Sequence, residues 1–160
     1  MKVYFASDHA GYALKQALVE HVRLLGHETE DLGSYELNPE DDYPDFVTPC
    51  AKRVADEAGA RGIVIGGSGE GEAMCANRIR GARAAVFYGE MDTAQVLEVE
   101  GGHSEDGYDI VRLARRHNDA NILSVGARFV SGDEAMTAVR LFLETPFSDS
   151  PRHARRIAKF

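Results

Sequence analysis

Short uninterrupted apolar runs alternate along this chain with longer stretches in which apolar residues recur every third or fourth position. Lys2-Val3-Tyr4-Phe5-Ala6 is β-prone and ends at Ser7-Asp8-His9-Ala10-Gly11; Leu14, Ala17, Leu18, Val22 and Leu25 then follow at helical spacing. Gly26 is placed to end that helix. Glu28 to Leu32 reads as a second strand closed by Gly33, and a turn-rich loop from Asn38 to Asp45, with Pro39 and Pro44, leads into a helix from about Phe46 to Ala58. The third strand is Gly62–Ile65, with a helix after its glycine-rich turn running to about Arg80. Ala84–Tyr88 and Asn121–Val125 are the fourth and fifth strands, and helices near 131–144 and 150–160 complete the chain. Strands alternating with helices predict an α/β fold whose parallel sheet is covered on both faces. Ligands in such sheets sit at the carboxyl ends of the strands. The loops after strands one, three and five, with Asp8-His9, the glycine run and Arg128, would share that edge. Strand order does not follow from the pattern.

The rhythm breaks once. Between Tyr88 and Asn121 lies the polar, glycine-rich Gly101-Gly102-His103-Ser104-Glu105-Asp106-Gly107, flanked by apolar helical patterns. It reads as an insertion at about 95–111 in a single domain spanning 1–160. Such a segment is either a lid or subunit contact, or a passive surface excursion.

The densest chemical signal is Gly66-Gly67-Ser68-Gly69-Glu70-Gly71-Glu72, between the third strand and its helix. A turn of this kind presents backbone N–H groups at a helix start, where an anion is favoured. A carboxylate, Glu72, stands among those donors, and a base beside an oxyanion site is what proton transfer next to a carbonyl requires. The dinucleotide pattern G-x-G-x-x-G fails, because from Gly67 and Gly69 its third glycine falls on Glu72. No G-K-[ST] phosphate loop follows, and no H-E-x-x-H or Cys/His spacing suggests a metal.

Composition narrows the class. The net charge of −8 argues against a general nucleic-acid binder. Residues 152–160, however, carry Arg152, Arg155, Arg156 and Lys159 without an acid. Such a run is either a solvated helix end or a site for a small anion, since guanidinium forks match phosphate oxygens. The apolar run before Asp8 is too short for a signal peptide, and no stretch approaches the roughly 20 apolar residues of a membrane span. With Cys50 and Cys75 as the only cysteines, no disulfide framework is available, and the expected compartment is the cytoplasm.

Ser7 to Gly11, Asp42-Tyr43-Pro44-Asp45, Gly66 to Asn77, Arg116 to Asn121, Gly126-Ala127-Arg128 and Arg152 to Arg156 occur in that order. Together they resemble the type B ribose-5-phosphate isomerases, in the superfamily that includes galactose-6-phosphate isomerase subunits. The resemblance covers nearly the whole chain apart from about Gln95 to Val111. It implies a three-layer α/β/α sandwich, Rossmann-like, with a five-stranded parallel sheet. It further implies homodimers or homotetramers that share active sites between subunits, and an aldose–ketose interconversion through an enediolate without metal or cofactor.

Roles carry over residue by residue. One branch of the family has a catalytic cysteine where this chain has Gly66; another, resembling G-G-S-G-x-G-E, uses the glutamate that matches Glu72 here. Cys75 reads as a small buried residue. Ser68 and the N–H groups of Gly67, Gly69 and Gly71 would hold the enediolate oxygens. His117 matches the ring-opening histidine, with Asp8 across the ring, and imidazole suits that task because it titrates near neutrality. Asn118 would bind substrate hydroxyls or an enediolate oxygen and Tyr43 would wall the pocket, while His9, Arg128, Arg152 and Arg156 match the phosphate clamp. Glu70, close to Glu72 in sequence, is expected to raise the base's pKa by repulsion. Ribose 5-phosphate is the default substrate, with allose, galactose and tetrose phosphates open. A non-catalytic sugar-phosphate-binding module and a partner subunit of a hetero-oligomeric isomerase are the rival readings.

Overall fold

A computed structural model of the chain describes residues 1–91 and 106–160. Its elements alternate in the order β1 (Lys2–Ser7), α1 (Tyr12–Leu24), β2 (Glu28–Asp31), α2 (Pro44–Asp56), β3 (Arg61–Gly66), α3 (Glu70–Ala76), β4 (Ala84–Phe87), α4 (Asp109–Asn118), β5 (Ile122–Gly126), α5 (Gly132–Glu144) and α6 (Pro151–Ile157). The five strands form one sheet in the order β2-β1-β3-β5-β4, and every pairing is parallel. The fold is thus the expected α/β class. Of the segment 95–111, residues 95–105 lie outside the described residues; Asp106–Tyr108 turn directly into α4.

Period-two alternation sends successive strand residues to opposite faces. Val3, Phe5, Ile63, Ile65, Leu123 and Val125 join one buried cluster with Leu18 and Val22 of α1 and Val139 and Phe142 of α5. Tyr4, Ala6, Val64 and Ile122 join a second cluster with Val47, Cys50, Ala51 and Val54 of α2 and Ala76 of α3. Both faces of β1, β3 and β5 are covered, which is why these strands read as nearly continuous apolar runs rather than alternating ones, while the edge strand β2 is polar.

Two boundaries differ from the sequence expectation. α2 begins at Pro44, because proline lacks the N–H that a first helical residue cannot use. α3 ends at Ala76 rather than near Arg80. Asn77 explains the early stop: its side chain donates to the Ala84 carbonyl at 3.0 Å and accepts from the Ala84 N–H at 2.7 Å, turning the chain into β4.

Polar contacts fix the carboxyl edge. Lys15, fully buried on α1, bonds both oxygens of Asp31 at 2.5 Å and the Ser34 carbonyl at 2.8 Å. The loop after β2 is in turn stapled to the end of β1, with Ser7 N–H donating to Gly33 O at 2.8 Å and Ser34 N–H to Ser7 O at 2.7 Å. A buried ammonium is tolerated only when fully paired, and here it anchors the strand end that carries Asp8. At the start of α5, Ser131 and Glu134 form a reciprocal capping box. Ser131→Ala is expected to lower unfolding free energy by about 1 kcal/mol, read as a lower urea midpoint with unchanged slope; an unchanged midpoint would show that the cap contributes nothing.

Candidate active site

The carboxyl ends of β1, β3 and β5 converge as expected. β1 ends at Ser7 and passes Asp8 and His9 into the turn before α1. Asp8 is buried, and its Oδ1 accepts from the Ala10 N–H at 2.9 Å and the Gly11 N–H at 3.3 Å. The turn lies against β3 so tightly that a methyl group at Gly11 would sit 2.5 Å from the Ile65 carbonyl oxygen. β3 ends at Gly66, and Gly69 (φ 79°) adopts the left-handed conformation that opens α3. The Gly69 carbonyl accepts a 2.6 Å bond from the buried Ser124 hydroxyl on β5.

Glu72, in the first turn of α3, is only 4% exposed, and its carboxylate folds back over Gly66. A side-chain carbon built at Gly66 would lie within the envelope of Glu72 Oε1 and Cδ and 2.6 Å from Oε2. The carboxylate therefore occupies the place that a side chain at position 66 would take. Burial is the main reason that the Glu72 pKa rises above the usual carboxylate range; its own backbone N–H partly offsets this and the charge of Asp8 adds to it. The expected repulsion from Glu70 is not among the causes, because Glu70 is exposed. The neighbouring acid that matters is Asp8.

The same cluster gathers several of the other predicted residues. The Arg128 guanidinium lies over Gly67, where a methyl group would meet its Cζ and Nε at 3.1 Å. Backbone bonds from Ala127 to Gly66 and from Arg128 to Gly67 fix that loop on the glycine turn. Tyr43 leans on Gly71, its hydroxyl 2.8 Å from where a Gly71 side chain would begin, and helps line a cavity of about 600 Å³ with Met74, Cys75 and Arg78. Ser68 is exposed, with its hydroxyl accepting from the Glu70 N–H at 3.3 Å. Cys75 is half-buried, its sulfur 3.3 Å from the Thr48 hydroxyl. His9 pairs with Asp41, and Asp8, His9 and Asp41 have donor atoms within 4.8 Å of one another. Among the described residues this is the cluster nearest in composition to a metal site. Asp41 Oδ1, His9 Nδ1 and Asp8 Oδ1 are engaged with each other or with backbone N–H groups, so it reads as a hydrogen-bonded unit.

His117, Asn118, Arg152 and Arg156 are not brought to this edge. They close α4 and lie along α6, where β5 begins. The Asn118 and Asp119 carbonyls accept from Arg83, which immediately precedes β4. His117 stands 4.2 Å, ring to ring, from His153 of α6. Asn118 lines a cavity of about 780 Å³ with Asn77, Arg83 and the C-terminal residues. At roughly 3.3 Å per residue, the five residues of β5 set this edge ~15 Å from the glycine turn. The described residues thus hold two half-sets of predicted site residues at opposite edges of the sheet.

Sequence reasoning missed the supports of both half-sets. Asp41 looked no different from Glu40 and Asp42 beside it. Asp119, in the left-handed region (φ 44°), is bonded by the buried Arg115 at 2.8 Å and by Arg83 at 2.7 Å, which holds the end of the His117-Asn118 segment. Neither arginine forms part of a recognisable motif; only the left-handed Asp119 carried a signal, in a helix-ending N-D-A-N.

Comparison with known proteins gives concordant findings. A profile of the Ribose/Galactose Isomerase family matches residues 3–101 and 103–160. Ribose-5-phosphate isomerase B of Mycobacterium leprae is 40% identical over 157 residues, covering 98% of this chain and 86% of the relative. The probable ribose-5-phosphate isomerase B of Mycoplasma pneumoniae is 34% identical over 157 residues, covering 98% and 91%. Ribose-5-phosphate isomerase B of Mycoplasma genitalium, solved with bound ribulose 5-phosphate, superposes with a TM-score of 0.84 at 33% identity, covering 99% of this chain and 92% of that one.

Proposed function

The chain belongs to the ribose/galactose isomerase family, and we propose that it interconverts ribose 5-phosphate and ribulose 5-phosphate with Glu72 as the base. The observation that carries this reading is the Glu72 carboxylate, buried over Gly66 beside Asp8 and within the cluster that contains His9 and Arg128. A phosphate held by the His9 and Arg128 cations would fix one end of the sugar, so that distal binding energy places the reacting carbons against Glu72. Glu72 takes the proton from the carbon next to the carbonyl and returns it one carbon away. Ser68 and the N–H groups of Gly67, Gly69 and Gly71 meet the charge that develops on the oxygens. An isomerase assay across pentose, tetrose and hexose phosphates tests the substrate; turnover of hexose phosphates alone would overturn the choice of ribose 5-phosphate.

The second half-set finds its use in a homodimer. His117 opens the furanose ring, with Asp8 on its other side; Asn118 binds the substrate hydroxyls, and Arg152 and Arg156 complete the phosphate clamp, all supplied to the glycine turn of the other subunit. The ~15 Å separation along β5 supports this arrangement. It predicts complementation. Glu72→Gln and His117→Ala are each nearly inactive alone, but after mixed refolding roughly one site in four is intact, as random pairing in a two-fold dimer dictates. Recovered turnover of that order supports sharing; a mixture no more active than its parents would sink it.

A further inference from the structure

His9 and Asp41 come from different loops, the first after β1 and the second between β2 and α2, and they meet twice. Asp41 Oδ1 accepts from the His9 backbone N–H at 3.0 Å and sits 2.7 Å from His9 Nδ1. These two contacts to one oxygen fix both the position of the residue and the rotation of its ring. The Asp41 side chain is 7% exposed, whereas that of His9 is 33% exposed, so the carboxylate is covered and the imidazole stays open to a ligand. Asp41 Oδ2 is buried without a hydrogen-bond partner among the described residues. The Asp41 carboxylate therefore directs its hydrogen bonding at His9.

The chemistry of the ring then has a sharp consequence. A carboxylate can only accept, so Nδ1 must carry a proton. In the neutral ring this leaves Nε2 with a lone pair, which repels an anion. Only the imidazolium presents Nε2–H as a donor. We propose that Asp41 is a positioning residue that fixes this tautomer, so that His9 binds the phosphate of the sugar only after taking up a proton. The proposal rests on the phosphate-clamp reading of His9 and Arg128 given above. The charges facing His9 are Asp41 from the loop before α2, Asp8 from the end of β1 and Arg128 from the loop after β5; Glu72 of α3 lies beyond Asp8. The Asp41 hydrogen bond is the largest influence and raises the His9 pKa; desolvation and Arg128 oppose it, and Asp8 assists. The clamp is thus protonated below the elevated His9 pKa and loses its grip as pH rises through it.

Sulfate tests this because, unlike phosphate, it stays a dianion between about pH 6 and 9 while imidazole titrates. Its inhibition of the isomerase, competitive with the sugar phosphate, should weaken by about tenfold per pH unit above the His9 midpoint. By NMR, sulfate should raise the midpoint of the His9 ring signal, assigned by its loss in His9→Gln. The NMR measurement separates His9 from Glu72, whose ionisation would repel the same anion. In Asp41→Asn the neutral amide can donate to Nδ1, leaving a proton on Nε2. The midpoint should fall and the pH slope of sulfate inhibition should flatten, whereas Asp41→Glu should restore both. Sulfate inhibition independent of pH, or an Asp41→Asn variant with an unchanged His9 midpoint, overturns the proposal but leaves the clamp standing. Sulfate without effect at any pH overturns the clamp reading and the proposal with it. The wild-type measurements decide even if the Asp41 variants do not fold.

Discussion

Glu72→Gln is expected to lower kcat by about three orders of magnitude, within the range that removal of a general base produces, while KM for the sugar phosphate changes only a few-fold. Glutamine keeps the length and shape of the side chain but cannot take a proton from carbon and hand it back. The proposed phosphate contacts lie on His9 and Arg128, so binding should persist. The pH dependence carries a second signature. Burial pushes the Glu72 carboxyl above the ordinary carboxylate range, and the charge of Asp8 adds to the rise. Below that pKa the carboxyl is protonated and cannot accept, so kcat should fall by about tenfold per pH unit on an acid limb that lies to the alkaline side of a normal glutamate. In Glu72→Gln the residual rate should lose that limb. A variant with kcat within about tenfold of wild type would remove Glu72 from the role of base.

How much of this was readable before the structure depended on whether the signal was local. The central strands announced themselves because both of their faces are covered, and runs such as Gly62-Ile63-Val64-Ile65 have few alternative readings. The glycine turn was legible because glycines, a strand and a helix follow one another within a dozen residues. The position of Glu72 beside Asp8 was not, since it depends on β1 and β3 being neighbours, and strand order is a tertiary property. The same blindness made Glu70 look like the relevant neighbour. Two residues apart in sequence, Glu70 faces solvent while Glu72 folds inward. His117 and Arg152 were grouped with Glu72 through family resemblance alone. The chain separates them, because α4 runs back across the sheet and delivers its last turn to the amino edge. Asp41 stayed hidden for a third reason: a carboxylate among other acids in a loop has no pattern until the ring that it holds is seen.

The close fit between Gly66 and Glu72 leads to the second large effect. Gly66→Ala is expected to lower kcat by about two orders of magnitude, as misplacing a catalytic group by about an ångström does, without touching the carboxylate itself. Gly66 has no left-handed backbone that would forbid alanine, and the three atoms nearest to a new methyl group all belong to the Glu72 carboxylate. That carboxylate is the far end of a flexible side chain, so the fold accommodates the methyl by moving the carboxylate. The thermal midpoint should shift little and KM should hold, since Arg128 touches Gly67 rather than Gly66. The same crowding would make a cysteine at position 66 incompatible with the present placement of the Glu72 carboxylate: one side chain fills the volume that the other needs. A double-mutant cycle makes the argument decisive. If the alanine acts by displacing the base, adding Glu72→Gln to Gly66→Ala should cost far less than Glu72→Gln costs alone, because residues acting as one unit are not additive. Fully additive losses, or a Gly66→Ala enzyme as fast as wild type, would show that the carboxylate does not work from the place where it now rests.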